Sequence, residues 1–264
     1  IMANLVDIDI EGTTNTTNVS LIADPSCKTF DDLTEACKEP YYFTDDMAIL
    51  VHLLCTAIYA LKIEGEQIWV RVIGPPGSSK TTLATLVGSS DQTILRSTFT
   101  GLLSGWKDDD PNDASLISLI AGKALIVKDA DALLQQPNKE QIFSELRDFY
   151  DKSISATYRN RVSYEYANIR SAFIFCGTHA LRGMDNSALG ERFVDYELRV
   201  NQEDRKEIVK KMLHRSKEAG RSGINPENKV HAMAKNLLDN VILNYEGVAH
   251  VGDEEDALIS QYID

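Results

Sequence analysis

The chain lacks any C-x-x-C pair: its four cysteines, Cys27, Cys37, Cys55 and Cys176, stand far apart. That spacing speaks against the common zinc and dithiol-redox motifs. Cys55 and Cys176 lie in apolar runs and read as small core residues, while Cys27 and Cys37 could pair although nothing requires it. A reducing, cytoplasmic setting fits this usage best. Long hydrophobic runs are missing too. The most apolar segment, 47–63, is interrupted by His52 and Thr56 and is short for a membrane span, so it reads as a buried helix. Positive charge is scarce, with 27 Lys and Arg against 40 Asp and Glu and a net charge of −13. Such a chain is repelled on average by nucleic acid and anionic membrane, and any DNA contact needs a local basic patch. No signal-peptide pattern opens the sequence, and its first residue is Ile1 rather than Met, as expected at a boundary within a longer chain. There is no internal repeat and no low-complexity tract.

What is present suits a soluble globular protein. With 264 residues, 43% hydrophobic and 25% charged, the chain has room for one large domain or a main domain with an appendage. Residues 1–40 are rich in Thr, Asn, Asp and Ser and read as an extended arm. Thr44, Asp45 and Asp46 supply the cap and dipole partners for the helix that follows. "IWVRVI" (68–73), "QTILRST" (92–98), "KALIVKD" (123–129), "SAFIFCGT" (171–178) and "VDYELRV" (194–200) read as five strands. Helices are expected from Lys80 to about Val87, over 114–122, and after a capping box of Asn138 and Gln141. Residues 156–170 read as a hairpin or a long polar loop. From about 201 the strands stop and two helical stretches follow, the second with Asn225 at its cap, Pro226 in its first turn and a stripe of Val230, Met233, Leu237, Val241 and Tyr245. Strands alternating with helices predict a parallel α/β sheet over 41–200, with a small helical domain over 201–264.

The stretch "GPPGSSKTT" sits between the first strand and its helix. Backbone N–H groups that converge on a phosphate need a tight turn there, which Gly74 and Gly77 permit. Lys80 is placed to reach the outer phosphates, and Thr81 to offer its hydroxyl to magnesium. Ser79 stands where the pattern asks for a second glycine; it keeps its N–H but adds a side chain beside the phosphates. The bland alternative is a chance Gly-Pro turn followed by a lysine.

"GPPGSSKT" resembles the phosphate loop of AAA+ ATPases, and the later segments follow in that family's order over roughly 45–246. The resemblance implies a five-stranded parallel P-loop sheet flanked by helices, followed by a small helical lid domain. It implies ATP and Mg2+ as cofactors, with Gly74, Pro75, Pro76, Gly77, Ser78, Ser79, Lys80, Thr81 and Thr82 around the nucleotide. The family's second motif is four apolar residues followed by Asp-Glu. Here Lys128 follows Ala124 to Val127 and puts Asp129 at the glutamate; in a slipped register Asp129 is the metal-side aspartate and Ala130 replaces the glutamate. Thr81 and Asp129 are then the metal residues, and Asp131 is either a water-positioning group or a helix cap. Thr178, at the end of the fourth strand, resembles the residue that holds the attacking water, or else it begins a turn. "LGERFVDYEL" resembles the segment carrying an arginine finger, with Arg192 serving a neighbouring subunit, or else pairing structurally with Glu191 or Asp195. Arg182 is a weaker candidate, and His179 reads as surface. Trp106 and Lys107 fall in a loop that often faces the pore of ring-forming relatives, where they would suit nucleic acid or an extended peptide; alternatively Trp106 folds onto its own domain. A looser similarity to uncharacterised phage and mobile-element ATPases favours a DNA-replication or DNA-processing motor over a protein unfoldase. Lys107, Arg159, Arg161 and Arg170 could form the basic patch this needs. The expected protein is thus an oligomeric ATPase, with a non-hydrolysing nucleotide-binding scaffold as the alternative. A small-molecule kinase is disfavoured by the 190–193 segment and the helical tail.

Overall fold

Short apolar runs separated by amphipathic helices can bury both faces of a sheet only if the helices cross back over it, and the chain does this. The computed structural model describes residues 21–63, 67–103, 115–157, 163–184, 189, 192–223 and 225–242. In chain order come α1 (Phe30–Cys37), α2 (Asp45–Tyr59), β1 (Trp69–Ile73), α3 (Lys80–Val87), β2 (Thr93–Arg96), α4 (Leu116–Ile120) and β3 (Ala124–Val127). Then follow α5 (Lys139–Tyr150), β4 (Ser153–Thr157), β5 (Ser163–Ala167), β6 (Ala172–Gly177), β7 (Phe193–Glu197), α6 (Gln202–Ser222) and α7 (Glu227–Asn236). Five strands form one sheet in the order β2-β3-β6-β1-β7, every pair parallel, and β4 and β5 form a separate antiparallel hairpin.

Strand alternation divides the core in two. On one face Val70, Val72, Ile126, Ile174 and Cys176 pack with α2, α3 and α7. On the other, Trp69, Leu125, Val127, Phe173 and Phe175 pack with α4 and α5. The indole N–H of Trp69 donates to the Ser171 carbonyl at 2.9 Å, so this large ring is buried without an orphaned donor. Arg71 shares that face. Its side chain, 7% exposed, pairs across the sheet with Asp195 and donates to the carbonyls of Leu181 and Met184.

Several expectations need correction. Residues 30–37 are helix rather than extended arm: Thr29 and Asp32 form a capping box, and Leu33 and Cys37 are buried against α7. Residues 1–20 lie outside the described residues. The capping box expected of Asn138 and Gln141 does not form. Asn138 has φ −101° and ψ 18°, outside the extended geometry a capping side chain needs, and Gln141 donates instead to Glu145. The last strand begins one residue earlier than expected and ends at Glu197. The cysteines are free and buried, so Cys27 and Cys37 do not pair; burial pushes the Cys37 thiol up to about 12. Among the described residues no helix is long and apolar enough to cross a membrane.

Polar contacts join the end of α3 to the tail. The Ser89 hydroxyl lies 2.6 Å from His231 Nδ1, the Ser90 hydroxyl donates to Asp239, and Lys235 pairs with Asp91 and Asp239. Ile208, Val230, Met233 and Leu237 meanwhile enter the same apolar cluster as α2 and α3. Tyr245 of the expected stripe lies outside the described residues.

Candidate functional site

The 74–82 segment leaves the C-terminal end of β1 and turns into α3. Two residues bend it with positive φ, Gly77 at 76° and Ser79 at 67°. For serine this left-handed conformation costs about 1–2 kcal/mol relative to the ordinary regions. The strained residue is thus the one that departs from the glycine-rich pattern. Gly74 is needed for a different reason: a Cβ there would stand 3.0 Å from the Leu198 carbonyl and 3.1 Å from the Ser78 hydroxyl.

Lys80, the first residue of α3, folds back into the turn. Its ammonium donates to the carbonyls of Gly74 at 2.7 Å and Pro75 at 2.8 Å and to the Ser78 hydroxyl at 3.2 Å. Burial holds the ammonium below the usual lysine range, opposed by the nearby Cys176 and Asp131. Ser78 is buried, whereas Pro76, Gly77 and Thr81 are exposed and Pro75, Ser79 and Thr82 lie between. A helix start, a turn of free N–H groups and a buried cation are chemistry suited to an anion.

Opposite the turn stands Asp131. Both its oxygens accept from the Thr178 N–H, at 2.8 and 3.1 Å, and Gly177 must be glycine because a Cβ there would lie 2.6 Å from Asp131 Oδ1. The Thr178 hydroxyl accepts from the Ala180 N–H and caps the 3-10 turn over 179–183. It therefore has the turn-starting role, whatever else it does.

The end of β3 explains why Asp131 rather than Asp129 faces Lys80. Lys128 continues the ladder, donating its N–H to the Arg96 carbonyl at 2.9 Å. Asp129 then donates to the Ser97 carbonyl, one residue past the end of the same neighbouring strand, and Ala130 donates to the Cys176 carbonyl. Consecutive donations to one neighbour mark an extra residue in the strand. Ala130 takes the rung that an uninterrupted strand would give to Asp129. Asp129 is left exposed, Lys128 half-buried.

These residues do not suit a magnesium ion at Thr81 and Asp129. A lysine holds the last ladder rung of β3, and the acid facing Lys80 is tied to the Thr178 N–H. Among the described residues no group of three or more His, Cys, Asp and Glu side chains is placed to hold a metal ion.

Arg192 lies at the other end of the sheet. Phe193 pairs with Trp69, so Arg192 sits beyond the start of β1, about 20 Å of strand away from the 74–82 turn. Its guanidinium donates to the Leu189 carbonyl at 2.9 Å, lies 5.2 Å from the Tyr150 ring centre and pairs with Asp151 at 3.5 Å. It does not pair with Asp195, which belongs to Arg71. Arg182 and His179, in contrast, both reach Glu197, whose strand partner is Ile73 beside the turn. Glu197 escaped the sequence reading, since only the β1–β7 register brings it there. Arg170 is not part of an open basic patch: it donates to the carbonyls of Ala60, Leu61 and Ile63 after α2. Trp106, Lys107, Arg159, Arg161 and Glu191 lie outside the described residues. A cavity of about 340 Å³ between Phe30, His52, Tyr59 and Val241 shares no residue with the turn. Compared with known families and with curated proteins, the chain matches no family model and no curated relative.

Proposed function

We propose that the 74–82 turn binds ATP and that the chain is an oligomeric ATPase of the AAA+ type, a motor or remodeller whose substrate is more readily DNA than protein. The observation that carries the reading is the buried Lys80 ammonium, held by three oxygens of its own loop at the start of α3, with Asp131 and Thr178 across from it. On binding, the phosphates take those three donors over from the loop. The position of Thr178 beside the end of β3 supports the water-holding role that the AAA+ resemblance gives it. Arg192 lies too far along the sheet to serve its own turn, which favours a neighbouring subunit as its target. Trp106 and Lys107 would contact nucleic acid, and the helical tail would act as the lid.

A second reading, a nucleotide-ordered scaffold without turnover, is favoured by Lys128 at the strand end. Titration of the full chain with a fluorescent ATP derivative tests what both share. Lys80→Ala removes a charge-assisted contact and little core, so binding is lost while the circular-dichroism spectrum stays unchanged. Unaltered affinity would refute the assignment. Turnover at high protein concentration separates motor from scaffold.

A further inference from the structure

We infer that this site takes nucleotide without a divalent cation, the Lys128 ammonium supplying positive charge that a magnesium ion would otherwise bring to the phosphates. The inference rests on the nucleotide-binding reading above and goes beyond it in the electrolyte the site requires.

Three observations carry it. Alternation along β3 puts Ala124 and Ile126 in the cluster with Leu83 and Ala84 of α3, and Leu125 and Val127 in the other. Lys128 follows Val127 on the ladder and so falls on the α3 side of the sheet. The register Val127↔Phe175 brings Lys128 level with Cys176, the residue whose thiol and the Lys80 ammonium act on each other. Lys128 therefore starts from the face of the sheet that α3 covers, on a strand about 4.8 Å from the one that carries Cys176.

Second, Lys128 is half-buried, and no ion pair among the described residues engages it. Its charge is left for something else. Third, the carboxylates are misplaced for a cation: Asp131 is held by the Thr178 N–H, and the extra residue in the strand turns Asp129 out to solvent. A divalent ion beside the turn would meet a lysine where it needs an acid. A triphosphate meets two lysines and the N–H groups of the turn.

The test is equilibrium titration of the full chain with a fluorescent ATP derivative, in magnesium and in EDTA. The expected wild-type affinities differ by less than about threefold. Lys128→Asp should make binding depend on the ion, with magnesium improving affinity by about tenfold or more. Should that variant fail to fold, Lys128→Gln should weaken binding in EDTA by about tenfold, with Lys128→Arg restoring it. A wild-type affinity that falls more than about threefold in EDTA overturns the inference and leaves nucleotide binding standing. Absence of binding in both buffers overturns the nucleotide reading itself, and this inference with it.

Discussion

Gly177→Ala probes the join between β6, the Asp131 carboxylate and the turn that follows. The added methyl would lie 2.6 Å from Asp131 Oδ1 and 2.6 Å from both Cγ and Cδ1 of Leu181, inside any real carbon contact. Neither neighbour can simply give way. Leu181 is fully buried, and Asp131 is tied to the Thr178 N–H. Overpacking of this kind costs about 1–3 kcal/mol. If Asp131 moves aside, a charge-assisted hydrogen bond is lost as well, for about 1.5–3 kcal/mol. Together the substitution should destabilise by about 2.5–6 kcal/mol, lowering Tm by roughly 5–24 °C for a chain of this size. Differential scanning calorimetry or urea unfolding reads this directly. A shift under about 2 °C would refute the packing argument. The double variant Gly177→Ala/Asp131→Ala sharpens the test, since the carboxylate can be lost only once. Its cost should fall short of the sum of the single variants by about 1 kcal/mol or more. Strict additivity would show that Asp131 does not yield to the methyl.

Two further outcomes follow from buried and half-buried polar groups. Asp195→Ala leaves the Arg71 guanidinium, 7% exposed, without its half-exposed carboxylate and should cost about 1.5–3 kcal/mol by urea unfolding; a loss under about 1 kcal/mol would mean the Leu181 and Met184 carbonyls suffice. His231 is half-buried between Ser89, Tyr41, Glu227 and Arg215, and its partial burial holds its imidazole below the usual value of 6.5. The unfolded chain therefore takes up the proton first, so stability is full above about pH 6.5 and declines as pH falls below it. His231→Gln should flatten urea midpoints between about pH 7.5 and 5.5, and an unchanged slope would assign the effect to another group.

The sheet was readable in the sequence because its strands are apolar runs punctuated by glycine, proline or charge. "IWVRVI" contains β1 whole, and the helix after the turn has the expected ends, Lys80 and Val87. Helix α1 was hidden by its polar composition, although the Thr29–Asp32 box and the buried pair Leu33 and Cys37 are signals that could have disclosed it. The same box pattern misled at Asn138, where the backbone does not adopt the extended angles that bring the side chain over the helix start. Local letters cannot report backbone angles. The turn at 74–82 was visible as a motif, but which acid faces it was not. An extra residue at the end of β3 shifts the frame by one, and only the ladder bonds of Lys128, Asp129 and Ala130 reveal it. The remoteness of Arg192 likewise depends on β1 and β7 being neighbours, which no single segment encodes.

Helix α3 is eight residues long, about 12 Å, and carries Lys80 at its first position; Ser89 and Ser90 lie just past its last. A helix that short and buried has no joint at which to bend. Whatever tilts its first turn also swings the two serines, and with them the contacts to His231 and Asp239. Substitutions in the turn and in the tail should therefore behave as one mechanical unit: an amide hydrogen-exchange change provoked at residues 78–81 should reappear around 231–239, with the body of the helix itself unaltered.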